Sequence, residues 1–361
     1  MTTIAQADSG RLTGGVDTHK DVHVAAVLDG VGRLLGTRSF ATTRRGYRQL
    51  FDWLQGFGEV EAVGIEGCGS WGAGLARFLA ARQVRVVEVN RPNRQNRRRR
   101  GKSDTVDAEA AARAVINGDA TVTPKAGDGP VEALRQLRIA RSGAIKARTA
   151  AANQLHSLCD TAPDPVRSKL RGLPVKKMIA VAERWRPSDA ITAENAAKRA
   201  MAAVAHRWRI LDDEARGLAG HIKTLLDAVA PELLAVYAVG YDTAGQLLVT
   251  AGDNPERLAH ERSFAALCGS SPVQASSGRT NRHRLNRGGD RHANSALWTV
   301  VRVRMVSHAP TRAYVERRTA DGLSKPEIMR CSKRYVAREL FPIIQATLGE
   351  QTTSHNRHIA A

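Results

Sequence analysis

Apolar residues fall in short runs over the first third of the chain and at helical spacing beyond it. HVAAVLD (23–29) and RLLGTRSFAT (33–42), joined by Gly30-Val31-Gly32, read as two strands, and GYRQLFDWLQGF (46–57) as an amphipathic helix after them. EAVGIEG (61–67) reads as a short buried strand, WGAGLARFLAARQ (71–83) as a helix and VRVVEVN (84–90) as another strand. With the apolar stretch that leads into GVDTHKD (15–21), the predicted order is a three-strand meander, then helix, strand, helix, strand, helix.

Glycine becomes scarce between about 128 and 230, and helix formers take over. From Met201 the apolar positions Val204, Trp208, Leu211, Ala215, Leu218, Ile222 and Leu225 advance by alternate steps of three and four, a heptad seam. The stretch 131–158, with Leu134, Leu137, Ala144, Ala151, Leu155 and Leu158, supplies a possible partner helix. The prolines of CDTAPDPVRSKLRGLP (159–174) separate the two. An internal helical hairpin and self-association both satisfy this pattern. From Pro231 on, short helices with glycine turns lead into a basic loop and a helix starting near His292, and no internal repeat of fixed period is present.

The meander order is that of a ribonuclease-H-like (RuvC-like) sheet, in which Asp17 ends the first strand and Glu66 the fourth. The expected fold is therefore α/β plus all-α. It comprises a ribonuclease-H-like domain over 1–125, a helical coiled-coil region over 126–230, a mainly helical domain over 231–350 and a disordered tail over 351–361.

Charge narrows the class of partner. Fifty-five Lys and Arg against 35 Asp and Glu leave a formal net charge of +20, the footprint of a polyanion-binding protein. No apolar run reaches spanning length and MTTIAQADSGRLTGG lacks the apolar core of a signal peptide, so no membrane and a cytoplasmic location are expected. Cys68, Cys159, Cys268 and Cys331 match neither a zinc pattern nor a disulfide framework and read as reduced structural residues. Aromatic residues make up only 4%, which argues against an extended base-stacking platform.

Four acids carry the candidate chemistry. Asp17 and Glu66 stand at strand ends, and KSDTVDA places Asp104 and Asp107 at i and i+3, on one face of a helix start. Carboxylates brought from several elements suit Mg²⁺, and a pair of such ions stabilises both the attacking and the leaving oxygen of a phosphoryl transfer. Each acid also has a plain structural reading: Asp17 in a hairpin turn, Glu66 in a glycine loop, and Asp104 and Asp107 as first-turn acids of a helix capped by Ser103 or Asp104 itself. The run just before Asp104, with Arg94, Arg97, Arg98, Arg99, Arg100 and Lys102, reads either as a solvated face or as a phosphate contact that positions a polymer without reading its sequence.

GVDTHKD, GIEGCGSWG and KSDTVDA in the first half, with SSGRTNRHRLNRGGDRHANSAL in the second, resemble the DEDD-type insertion-sequence transposases, relatives of the pilin-gene invertase, several of which are guided by a noncoding bridge RNA. The resemblance implies that Asp17, Glu66, Asp104 and Asp107 are the four metal-binding acids. It further implies that the 231–350 region is a transposase domain supplying a serine nucleophile. That serine falls on Ser277, ahead of Gly278, with Ser276 as the open neighbour, and Arg279, Arg282, Arg284 and Arg287 follow as nucleic-acid contacts. Family members often carry a Pro-Gly-x-Gly turn before that domain, where this chain has Tyr-Ala-Val-Gly at 237–240.

The expected function is Mg²⁺-dependent strand cleavage and exchange of a mobile element's DNA through Ser277, at a site composed from both halves. The expected partners are DNA, a guide RNA and further copies of the chain, as a dimer or tetramer. A RuvC-like junction endonuclease that uses water, and a nucleic-acid-binding protein without catalysis, are the competing readings. Inertness of Ser277→Ala would favour the first, and of Asp17 and Glu66 replacements the second.

Overall fold

The computed structural model describes residues 11–89, 103–276, 278 and 283–359, with side chains as far as 350. The chain divides into two compact units, Met1–Gly127 with Ala251–Ala259, and Asp128–Thr250 with His260–Ala361. The stretches 126–230 and 231–350, read apart in the sequence, fall largely within the second.

In the first unit, β1 (Leu12–Thr18), β2 (Val22–Leu28) and β3 (Leu34–Ala41) form the meander. They are followed by α1 (Arg44–Gln55), β4 (Val60–Glu66), α2 (Ala73–Ala80), β5 (Arg85–Val89) and α3 (Asp104–Ile116). The five strands make one mixed sheet in the order β3-β2-β1-β4-β5, antiparallel through the meander and parallel from β1 to β4 to β5. This element order, with its opening meander, agrees with the one predicted from the sequence.

Period-two alternation divides the sheet's side chains between two faces. Val16, Ala25, Val27, Val63 and Ile65 join Leu50 and Leu54 of α1 and Leu75 and Leu79 of α2 in the main core. The opposite face carries Gly15, Val24, Ala26, Gly64 and Val87, and α3 lies on it through Ala108, Ala111 and Ala112. The approach is close because two strand positions have no side chain. A Cβ on Gly15 would stand 2.1 Å from the Ala108 carbonyl oxygen and 2.4 Å from the Ala112 nitrogen. On Gly64 it would stand 2.7 Å from the Ala111 oxygen and from a Val115 methyl.

The second unit opens with α4 (Pro130–Thr161), two short helices, α5 (Asp164–Leu170) and α6 (Val175–Ala182), and α7 (Ala193–Val229). Arg148 pairs with Asp212, and Arg207 donates to Gln154, so partners descend along one helix as they ascend the other. The two are therefore antiparallel, and within the chain the heptad seam closes as a helical hairpin. None of Met201, Val204, Trp208, Leu211, Ala215, Leu218, Ile222 and Leu225 is exposed. Where proline ends α4, the short helices fold back to build a small core of Leu155, Val166, Leu170, Met178, Ile179 and Met201.

The unit continues through α8 (Pro231–Ala235), α9 (Tyr241–Ala251), a 3-10 turn at Pro255–Leu258 that belongs to the first unit, and α10 (Glu261–Leu267). The ribbon β6 (Val273–Gln274) and β7 (His283–Arg284) leads to α11 (Arg291–Ser307), α12 (Ala309–Ala320) and α13 (Lys325–Ile359). The helix α13 carries on to Ile359 through most of the stretch 351–361 read as disordered, no proline interrupting it after Pro342. Buried Arg304 grips Glu339 through two contacts of 2.6 and 2.9 Å and donates twice to the Tyr237 carbonyl at 3.1 Å. That carbonyl begins the Tyr-Ala-Val-Gly turn, in which Ala238 has φ +70°, a left-handed conformation natural to glycine and strained for alanine.

Two stability outcomes follow from these backbone constraints. Gly15→Ala should cost about 3 kcal/mol or more in urea unfolding, since only a shift of α3 relieves the clash. Gly69→Ala, with open space around its Cβ, serves as the neutral control. Ala238→Gly should relieve the strained backbone and raise stability by about 1 kcal/mol in the same measurement.

Candidate active site

The glycine stripe fixes where the acids go. Asp17 follows Gly15 by two residues and Glu66 follows Gly64 by two, so both point to the α3 face of the sheet. The register pairs Val16 with Ile65 and so sets the two strand ends side by side, and the Thr18 hydroxyl donates to the Glu66 carbonyl at 2.7 Å. On α3, Asp104 lies one turn before Ala108, which covers β1, and Asp107 one turn before Ala111, which covers β4. Ser103 is the N-cap, accepting from the Val106 amide at 3.4 Å, so neither acid is consumed as the capping residue. Acidic groups in the first turn also meet the positive end of the helix dipole.

Among the described residues, Asp17, His19 and Asp104 form a cluster, each with a ligand atom within 4.8 Å of the others. The His19 Nε2 stands 3.3 Å from Asp17 Oδ2 and 3.4 Å from Asp104 Oδ2. Asp17 is 8% exposed and Asp107 3%, whereas about half of the Asp104 side chain is open to solvent. Burial raises the Asp17 pKa, with the charges of Asp104 and Asp107 adding to it and His19 opposing. A buried carboxylate crowded by two more acids is electrostatically unfavourable alone, and a divalent cation would remove the conflict. The donor set of carboxylate oxygens with one imidazole fits such an ion. Trp71, 55% exposed, flanks the cluster with its ring 6.4 Å from that of His19.

Of the residues singled out in the sequence, Asp17 and Asp104 thus meet in this cluster. Asp107 acts on Asp17 through its charge, and Glu66 stands at the neighbouring strand end outside the three-residue group. Arg94, Arg97, Arg98, Arg99, Arg100, Lys102, Ser277, Arg279 and Arg282 lie outside the described residues. Arg284 and Arg287 are exposed at and beyond β7. Cys68 and Cys268 are buried, which pushes both thiols up to about 12 and fits structural roles.

Two features escaped the sequence reading. One is His19, which stands in a turn-prone stretch and carries no pattern of its own. The other is a cavity of about 550 Å³ in the second unit, where Arg284 meets Arg318, Arg330, Lys333, Arg334 and Arg338, with Glu327 the one carboxylate among the described residues of its lining. Lys333 is buried, its ammonium donating to Asn294 Oδ1 at 2.8 Å, and Asn294 in turn donates to the carbonyls of Cys268 and Gly269. Nearby, the Gly269 and Gly289 backbones cross so closely that a Cβ on Gly289 would stand 2.3 Å from the Gly269 nitrogen.

A mixed sheet that gathers acids at one end, in a strongly basic chain whose second unit carries a cationic cavity, marks a protein that processes nucleic acid. The family is specific. The DEDD transposase model of the IS110 family matches residues 14–162, and the model described as Transposase IS116/IS110/IS902 family matches residues 230–316. The chain belongs to the DEDD-type IS110 transposases, enzymes that cleave and recombine DNA and are typically metal dependent. A search among curated proteins finds no significant match. No helix among the described residues is long and apolar enough to cross a membrane.

The raised pKa of Asp17 has a stability consequence. The folded protein holds the Asp17 proton more tightly than the unfolded chain, so at neutral pH the ionised side chain works against folding. In the metal-free protein Asp17→Asn should therefore raise the melting temperature at neutral pH. The gain should shrink as pH falls and vanish below the ordinary carboxyl value near 3.8, where both states of Asp17 are protonated.

Proposed function

We propose that this transposase inserts and excises its own element by Mg²⁺-dependent cleavage and exchange of DNA strands, with Ser277 as the nucleophile. The observation that carries the reading is the convergence of acids from β1 and α3, in a chain whose two family matches cover both the acidic motifs and the serine motif. The first unit would be a ribonuclease-H-like domain whose Asp17, Glu66, Asp104 and Asp107 hold the metal, and the second a transposase domain.

A divalent cation bound there would stabilise negative charge on the phosphate and on the attacking and leaving oxygens. The remaining steps belong to the chain's own groups. Ser277 Oγ forms a bond to phosphorus as the bond from phosphorus to a deoxyribose oxygen breaks. The serine proton passes to a base and the departing oxygen gains one. The resulting phosphoserine ester conserves the energy of the phosphodiester, so a hydroxyl from the exchanging strand reverses the step and frees the serine. Exposed Arg284 and Arg287, and the basic run from Arg94 to Lys102, would position the DNA through its phosphates.

Net charge +20 also suits an RNA partner, and the family resemblance supports a bridge RNA that selects the target. Exchange between two duplexes calls for more than one copy of the chain, in a dimer or tetramer assembled in the cytoplasm.

The test is a covalent-adduct assay: purified protein, Mg²⁺ and labelled DNA with the element's joined ends, with and without its flanking noncoding RNA, run on a denaturing gel. The wild type and Ser276→Ala should give a protein–DNA adduct that is absent from Ser277→Ala, and Asp17→Asn should reduce adduct formation at least about a hundredfold. Cleaved DNA with no adduct in any variant would instead establish hydrolysis by water.

A further inference from the structure

His19 is the one member of the acidic cluster that is not an acid. We infer that His19 is a direct metal ligand through Nε2, making the site a mixed nitrogen and oxygen centre that prefers Mn²⁺ to Mg²⁺. This rests on the reading of Asp17 and Asp104 as metal-binding residues and adds a ligand to them.

Three observations on the site point the same way. The first is spacing. Neighbouring ligands on an octahedral ion, each about 2.1 Å from it, lie about 3 Å apart. Nε2 is 3.3 Å from one carboxylate oxygen and 3.4 Å from the other, so a shift of a few tenths of an ångström brings it to ligand spacing from both.

The second is orientation. Nε2 is shut off from solvent, yet it makes no contact of hydrogen-bond geometry, although roughly half of the ring is exposed. An imidazole placed for a simple hydrogen bond would aim its N–H at one oxygen. Here the nitrogen lies between two oxygens and is aligned with neither, as expected when the lone pair and both carboxylates address a common point.

The third is anchorage. The His19 amide donates to the Val22 carbonyl at 3.1 Å, and the Thr42 hydroxyl donates to the His19 carbonyl at 3.3 Å. The tight β1–β2 turn therefore holds this residue's backbone from two sides, and the side chain starts from a fixed base.

The chemical consequence is a change of metal preference. Carboxylate-only sites suit Mg²⁺, a hard ion that prefers oxygen and sheds water reluctantly, whereas imidazole nitrogen is better accepted along the series from Mn²⁺ to Zn²⁺.

Pulsed electron paramagnetic resonance on the DNA-free, full-length protein with Mn²⁺ tests this independently of catalysis. The wild type should show the hyperfine coupling of a directly bound ¹⁴N, and His19→Gln should lose it. In Mn²⁺ titrations His19→Gln should also raise the Kd about tenfold or more, with a smaller change for Mg²⁺ measured by competition. His19→Asp should restore binding of both ions without the nitrogen coupling, which separates loss of the ligand from damage to the fold. Bound Mn²⁺ without nitrogen coupling in the wild type would overturn the inference while leaving the acids as a metal site. Coupling that survives in His19→Gln, or unchanged or tighter Mn²⁺ binding there, would also overturn it. Failure of the wild type to bind either ion would overturn the metal centre itself, and the role of His19 with it.

Discussion

Everything in the first unit depends on how close α3 comes to the sheet. Gly15 and Gly64 leave bare strand surface, and the alanines of α3 fill it, backbone nearly against backbone. Glycine in a strand is poor at holding its conformation and buries no side chain. Its presence at two neighbouring positions on one face therefore marks a demand for approach over local stability. Because Asp104 and Asp107 lie one turn before the alanines that sit on those glycines, the depth of that contact also sets the distance between helix acids and strand acids.

The chain as a whole is basic, and the acidic cluster is a small negative region within it. That contrast is physically consistent with a phosphate polymer as substrate. A general positive field draws the polymer in and is screened by salt, while like-charged carboxylates keep its phosphates away unless a cation intervenes. The buried Lys333, braced by Asn294 against the backbone of Cys268 and Gly269, is a local counterpart in the second unit: a charge kept out of water and so less screened than exposed Arg284 and Arg338 in the same cavity lining.

Much of the architecture was legible because it rests on short-range rules. Strands of five to eight residues, mostly apolar in continuous short runs because helices cover both faces of the sheet, and a seam with steps of three and four, are written directly in the order of residues. The placement of Asp17 and Glu66 was legible from the strand ends, and a stronger sign was available in the repeated pattern GVD and GIE, glycine two residues before each acid. His19 was not legible, since a histidine one residue past a strand looks like any turn residue until α3 is laid over it. Lys333 lies 36 residues beyond the end of the basic motif at Leu297, and only the packing of α13 returns it to that neighbourhood. The small core of Val166, Leu170 and Met178 was hidden by prolines that end one helix but allow short ones to begin.

The hairpin of α4 and α7 has a mechanical side. Thirty-two residues of α4 extend about 48 Å, packed along α7. At one end Arg138 and Arg141 are tied to Asp242 and Gln246 of α9, and at the other sits the proline-bounded core. Such a shape is a lever arm: from the tie at Arg141 to Thr161 is about 30 Å, so a rotation of about 10° there carries the far end through about 5 Å. The ion pairs at the fulcrum, with Leu134 packed beside Gly245, thus set the travel of residues far along the rod, and a small rotation at α9 becomes a displacement of about one and a half base-pair steps at its tip.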